Sequence, residues 1–88
     1  KWDAYYAGLG EAEETPPVRA FGAEFAGLLG ELLPAGGAVL EAGCGAGFQS
    51  LALAREGKFA VSLMDLSPQA LDAARRLFAR NGLTADAR

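Results

Sequence analysis

Residues 39–54 read VLEAGCGAGFQSLALA. The short apolar run that starts at Val39 meets three glycines at alternate positions, Gly43, Gly45 and Gly47. Leu51, Ala52 and Ala54 then offer the apolar face of a helix. Where a strand hands over to a helix, the first helical N–H groups lack intrahelical partners and point outward. A Cβ in such a turn holds a ligand away from the backbone. Glycine removes it and also permits positive φ. The turn therefore reads as a surface of bare main chain, suited to a ligand that touches backbone.

The pattern extends in both directions. Ala38–Ala42 is a strand, apolar without strict alternation, which predicts cover on both faces. Phe48–Arg55 is a helix stopped by Gly57, and Phe59–Met64 is a second strand. Asp65-Leu66-Ser67-Pro68 makes a turn, with Ser67 as N-cap and Pro68 in the first turn of a helix that buries Leu71, Ala74, Leu77 and Phe78 and ends near Asn81-Gly82. Residues 84–88 lead into a third strand. Upstream, Thr15-Pro16-Pro17 opens a helix over Val18–Leu33, in which Phe21, Phe25, Leu28, Leu29, Leu32 and Leu33 are expected to form a core stripe, although Gly22, Gly27 and Gly30 weaken it. Gly8 and Gly10 argue against a continuous helix in residues 1–14, and the acidic run at 11–14 reads as a solvated loop.

The alternation of helix and strand predicts an α/β fold, a Rossmann-like open parallel sheet with flanking helices and right-handed crossovers. Two or three parallel strands leave raw edges, so residues 1–88 are expected to be one truncated domain. Residues 1–37 form its N-terminal segment and helix, and 38–88 its ligand-binding βαβα unit. The raw edges also make self-association an expectation.

Composition narrows the function. The 88 residues hold 8 Lys and Arg against 11 Asp and Glu, for a net charge of −3, and no basic cluster stands out as a footprint for nucleic acid. There is no His and one cysteine, so an intrachain disulfide is impossible and a Cys/His zinc site is unsupported. A reducing cytoplasm is the natural setting. No run of 18 apolar residues suggests a membrane span. Cys44 reads as a small filler of the turn rather than a nucleophile.

Ligands of open α/β sheets lie beyond the carboxyl ends of the strands, which places a site over residues 43–47 and 65–67. Asp65 ends the second strand, 18 residues after Gly47. The two oxygens of a carboxylate there match the vicinal hydroxyls of a ribose, and Leu66 beside it can pack on an adenine face. The dinucleotide fingerprint G-x-G-x-x-G requires a third glycine at position 48, where this chain has Phe48. Glu41, at the mouth of the first strand, would repel a pyrophosphate and suits a cationic amino group. A nicotinamide-dependent oxidoreductase is thus the weaker reading.

Taken together, VLEAGCGAG and VSLMDLSPQALDAAR resemble the first and second motifs of the class I S-adenosylmethionine-dependent methyltransferases, over about Ala38 to Arg76. The resemblance implies that S-adenosylmethionine is the cofactor and S-adenosylhomocysteine the product. It places the backbone of Ala42, Gly43, Cys44, Gly45 and Gly47 against the cofactor, with Glu41 near its methionine part. It further implies that Asp65 holds the ribose and that Leu66 lies on the adenine. The opening KWDAYY is similar to lid-like N-terminal segments of some members. The family's acceptor residues follow its fourth strand, outside this stretch, so no catalytic residue is named. The acceptor is open, with a small molecule favoured over nucleic acid, and no membrane or metal is called for. The alternative is a non-catalytic methyltransferase-like module for cofactor sensing or assembly.

Overall fold

A computed structural model describes residues 2–9 and 13–88, the side chains of residues 2, 8 and 9 excepted. The elements run α1 (Trp2–Leu9), α2 (Pro16–Leu32), β1 (Ala38–Ala42), α3 (Phe48–Glu56), β2 (Ala60–Met64), α4 (Pro68–Arg80) and β3 (Asp86–Ala87). The strands form one parallel sheet in the order β1-β2-β3, with Val39 opposite Val61, Glu41 opposite Leu63 and Ser62 opposite Asp86. Each helix start has its local cause. Thr15 accepts from the Val18 N–H and Ser67 from the Ala70 N–H, each ahead of a proline in the first turn.

Register explains which face is covered. Partners in a parallel ladder point to the same side, so Val39, Val61 and Leu63 share one face. Val39 and Val61 pack with Phe25, Ala26 and Leu29 of α2 and Ala52 and Leu53 of α3. Leu63 packs with Leu51 of α3 and Leu71, Ala74, Leu77 and Phe78 of α4. All three helices therefore lie on one side of the sheet. The other side carries Leu40, 57% exposed, and the exposed Met64. The expectation that β1 is covered on both faces is thus corrected. Its apolar run gives only a covered face and an open one among the described residues.

Helix α2 departs from its expected stripe in the same way. Phe21, Leu28, Leu32 and Leu33 are exposed, Leu32 to 68%. The buried face is instead Gly22 and Ala26, flanked by the half-buried Phe25 and Leu29. A Cβ on Gly22 would come within 3.0 Å of the Ala52 Cβ, so the smallest residues set how closely α2 approaches α3. Large side chains would force the helices apart, which is why the apolar count along α2 misidentified its inner face. The segment 1–14 also differs from expectation. Two turns of helix form over Trp2–Leu9 and include Gly8, while Gly10 lies outside the described residues. Glu14 of the acidic run is not solvated. It makes a bidentate pair with Arg55, both contacts at 2.7 Å, and Arg55 also donates to Asn81 at the end of α4. The paired guanidinium holds the Glu14 carboxyl below its usual range.

Gly47 shows how the sheet end is packed. It is the N-cap of α3 at φ 84°, and a Cβ on it would lie 3.0 Å from both Ala74 Cβ and Leu63 Cδ2. Gly57, the C-cap of α3, has a similar φ of 70° with nothing within 4 Å of the same position. Gly57→Ala is expected to lose only the left-handed conformational term, about 1 kcal/mol. Gly47→Ala adds a packing conflict and is expected to lose roughly 2–4 kcal/mol in urea unfolding. Equal losses at the two positions would show that the α3–α4–β2 junction is not closely packed.

Candidate functional site

The loop between β1 and α3 is held by the strand next door. The N–H groups of Gly43 and Cys44 both donate to the Met64 carbonyl, at 2.8 and 3.1 Å, and the Gly47 N–H donates back to the Cys44 carbonyl at 3.0 Å. Asp65 completes the join. Its Oδ2 accepts from the Gly45 N–H and its Oδ1 from the Ser67 N–H, each at 2.9 Å. The second contact is an Asx turn, in which a short carboxylate bonds its own backbone two residues on. One side chain thus fixes both loops at the carboxyl end of the sheet. Gly43, Gly45 and Gly47 all adopt positive φ, as the sequence implied.

Glu41 stands at the end of β1, half-buried, and its Oε1 accepts from the Ser50 hydroxyl at 2.5 Å. Burial raises the Glu41 carboxyl above its usual range, and the Ser50 hydroxyl and backbone N–H partly offset that. The chemistry is that of a cap. Gly47 has no side chain to satisfy the first turn of α3, and a carboxylate from the strand faces that turn instead. Cys44 is buried and its Sγ lies 3.4 Å from the Gly45 carbonyl. Burial, with Asp65 and Glu41 nearby, pushes its thiol up to about 11, so it is protonated at neutral pH and is no nucleophile.

Helix α1 lies across this end of the sheet. Asp3 Oδ1 accepts from the Ser67 hydroxyl at 2.8 Å and from the Gln69 N–H at 3.0 Å, so a carboxylate 66 residues earlier caps α4. The Tyr6 hydroxyl sits where a Cβ on Gly45 would project. Burial and the nearby Asp65 raise the Tyr6 phenol above its usual range. Tyr5 meets Tyr6 edge to face, with centroids 5.0 Å apart. The Trp2 side chain lies outside the described residues.

Two clefts meet at Tyr6 and Gly43. The first, about 550 Å³, is walled by Tyr5, Val18, Phe21 and Phe48, with Glu41 at its base. The second, about 790 Å³, is lined by Ala42, Met64, Asp65, Leu66 and Ser67. The candidate residues read from the sequence therefore gather at one end of the sheet, with a carboxylate in each cleft. Leu66 is 99% exposed and touches none of the others closely. Three contributors escaped the sequence: Ser50, Asp3 and the position of Tyr6. An acid in the first turn of a helix is so common that nothing marked Asp3, and Ser50 looked like one more helical residue.

Helix termini usually attract anions. Here the N–H groups at the start of α4 are taken by Asp65, Asp3 and Ser67. Among the described residues no Lys or Arg lines either cleft. The described groups that face the clefts include main chain, carboxylate and hydroxyl oxygens and apolar side chains. Among the described residues no group of three or more Cys, Asp or Glu side chains could hold a metal ion, and no helix is long and apolar enough to cross a membrane.

An open parallel sheet with its helices on one face, and a glycine turn locked to the acid ending the second strand, define a Rossmann-like α/β unit. The sequence profile of a family described as methyltransferase domain matches residues 39–88, more than half of the chain, and the chain belongs to that family. Over 47 residues it is 49% identical to a ribosomal protein L11 methyltransferase of Dechloromonas aromatica (strain RCB), a match covering 53% of this chain and 16% of that protein. A solved structure described as "Conversion of a Disulfide Bond into a Thioacetal Group during Echinomycin Biosynthesis" matches with a TM-score of 0.62 at 38% identity, over 74% of this chain and 26% of that one. The chain thus spans about a sixth and a quarter of the lengths of these two relatives.

The Asp3 contacts make a test of α1. Its donors, the Gln69 N–H first and the Ser67 hydroxyl second, hold the Asp3 carboxyl below its usual range. A depressed folded pKa means that this contribution is complete above the unfolded carboxylate pKa and is lost as pH falls through the folded value. The protection factors of the α1 amides, which correct for the intrinsic slowing of exchange in acid, should therefore fall on acidification below about pH 4. Asp3→Ala should show the low protection factors already at pH 7. Unchanged protection in that variant would show that α1 docks without the cap.

Proposed function

We propose that this domain binds S-adenosylmethionine at the carboxyl ends of β1 and β2 and serves methyl transfer to a small-molecule acceptor. The observation that carries the reading is the pair of clefts meeting at Gly43, with the Glu41 carboxylate in the first and those of Asp65 and Asp3 in the second. This donor set fits the cofactor's parts. Glu41 suits a cationic amino group, the backbone of Ala42 to Gly47 admits close approach, and Asp65 retains acceptor capacity for a ribose diol beside its two N–H bonds. Leu66 offers an uncovered apolar side chain for the adenine face. The Glu41 carboxylate at the first turn of α3, where the pyrophosphate of a dinucleotide would sit, argues against one.

The sulfonium of the cofactor supplies an electrophilic methyl group, so the protein's part is alignment and exclusion of water. Tyr5, Val18, Phe21 and Phe48 wall the cleft next to Glu41 with apolar surface. That cleft has room for a small acceptor, and among the described residues its lining has no cation that would draw in nucleic acid. Glu41 and Asp65 anchor the two ends of a ligand, and Gly43 between them, with nothing within 4 Å of where its Cβ would be, lets it lie against main chain. With a single, buried cysteine, the chain suits a reducing cytoplasm.

Calorimetric titration of the full-length protein with S-adenosylhomocysteine, and with NADH as the control, tests the reading. Saturable binding of the first and none of the second is expected. Asp65→Ala should weaken S-adenosylhomocysteine by about 1.5–3 kcal/mol, the loss of a charged hydrogen-bond partner, with an unchanged circular dichroism spectrum. Tighter binding of NADH would overturn the assignment.

A further inference from the structure

Ser50 has no exposed surface, yet it is polar and sits in the first turn of α3 among Leu51, Ala52 and Leu53. Burying a hydroxyl is unfavourable unless it is bonded. Its partner is the carboxylate of Glu41, at 2.5 Å. An alanine would fill that place in the helix with better propensity, so the hydroxyl earns no explanation from α3 alone. What it does is fix Glu41. A glutamate has three rotatable side-chain bonds, and one that points freely from a strand end samples many positions. The Ser50 hydroxyl donates to the carboxylate, holds it in one place and favours its ionised form.

A carboxylate has about four acceptor positions, and the hydroxyl uses one. The rest remain for whatever enters the first cleft, whose lining is shared by Glu41, Gly43, Gly45 and Tyr6. We infer that Ser50 is a positioning residue, which holds the Glu41 carboxylate ready to receive the cationic amino group of the ligand. The inference rests on the cofactor reading above. The titratable groups facing Glu41 are Cys44 in the loop, Tyr5 and Tyr6 from α1 along the same cleft, and Asp65 beyond Gly45. Among the described residues none of these is a cation, so the charge of Glu41 is left for the ligand to neutralise.

The test compares two probes on the full-length protein, S-adenosylhomocysteine and its analogue with the amino group replaced by hydrogen. Ser50→Ala should weaken S-adenosylhomocysteine about tenfold at pH 8 and leave the analogue within twofold. Binding of the analogue also reports that the variant is folded. In the wild type, affinity for S-adenosylhomocysteine should fall on acidification as Glu41 takes up its proton. In Ser50→Ala the midpoint of that fall should move to higher pH, because the carboxylate has lost a donor that favours its charge. Equal loss for both probes would reduce Ser50 to a packing residue and overturn the inference, as would unchanged affinity for both. If the wild type binds neither probe, the cofactor reading itself fails, and this inference with it.

Discussion

The carboxylate of Asp65 bonds forward to Ser67 in its own turn and across to Gly45 in the neighbouring loop. Those two N–H groups belong to the two βα connections, and the bonds set their distance. Everything at this end of the molecule takes its position from that bridge. The Met64 carbonyl, one residue earlier, receives the N–H groups of Gly43 and Cys44. The glycine loop is thus sewn to the end of β2 rather than left to its own short length. Geometry alone explains why an acid of short reach stands there. A glutamate's extra methylene would have to fold back to make the same Asx turn.

The acids also decide the sign of the site. Glu41 faces the first turn of α3, while Asp65 and Asp3 meet the first donors of α4. Each is favourably placed against a helix dipole, and together they consume the positive ends that other α/β proteins present to phosphate. What is left open is backbone and unspent carboxylate lone pairs. The cofactor proposed above, with its ribose hydroxyls and positive charge, would complement this surface.

Much of this was legible before any coordinates, and for local reasons. The ends of β1, α3, β2 and α4 are marked by glycine, by Ser67-Pro68 and by Asn81-Gly82, whose backbone preferences act within a few residues. Gly43, Gly45, Gly47 and Asp65 were found because turn chemistry and spacing are written in one dimension. The failures are all non-local. The inner face of α2 is chosen by the contact of Gly22 with Ala52, which favours small residues over the more numerous large ones. Glu14 is drawn out of solvent by Arg55, 41 positions away. The α1 helix forms in spite of Gly8 and docks through Asp3. Ser50 gains its meaning only when β1 is laid beside α3.

The cap from Asp3 carries a consequence for the order in which the chain assembles. Its acceptors' partners, Ser67 and Gln69, lie 64 and 66 residues further on. A ribosome therefore delivers α1 more than sixty residues before the start of α4 that receives it. Until then α1 is a two-turn helix with nothing to lean on, too short to persist in water by itself. The strands and their crossover helices need only contacts within about thirty residues of chain. Helix α1 thus docks on a strand end that shorter-range contacts have already shaped.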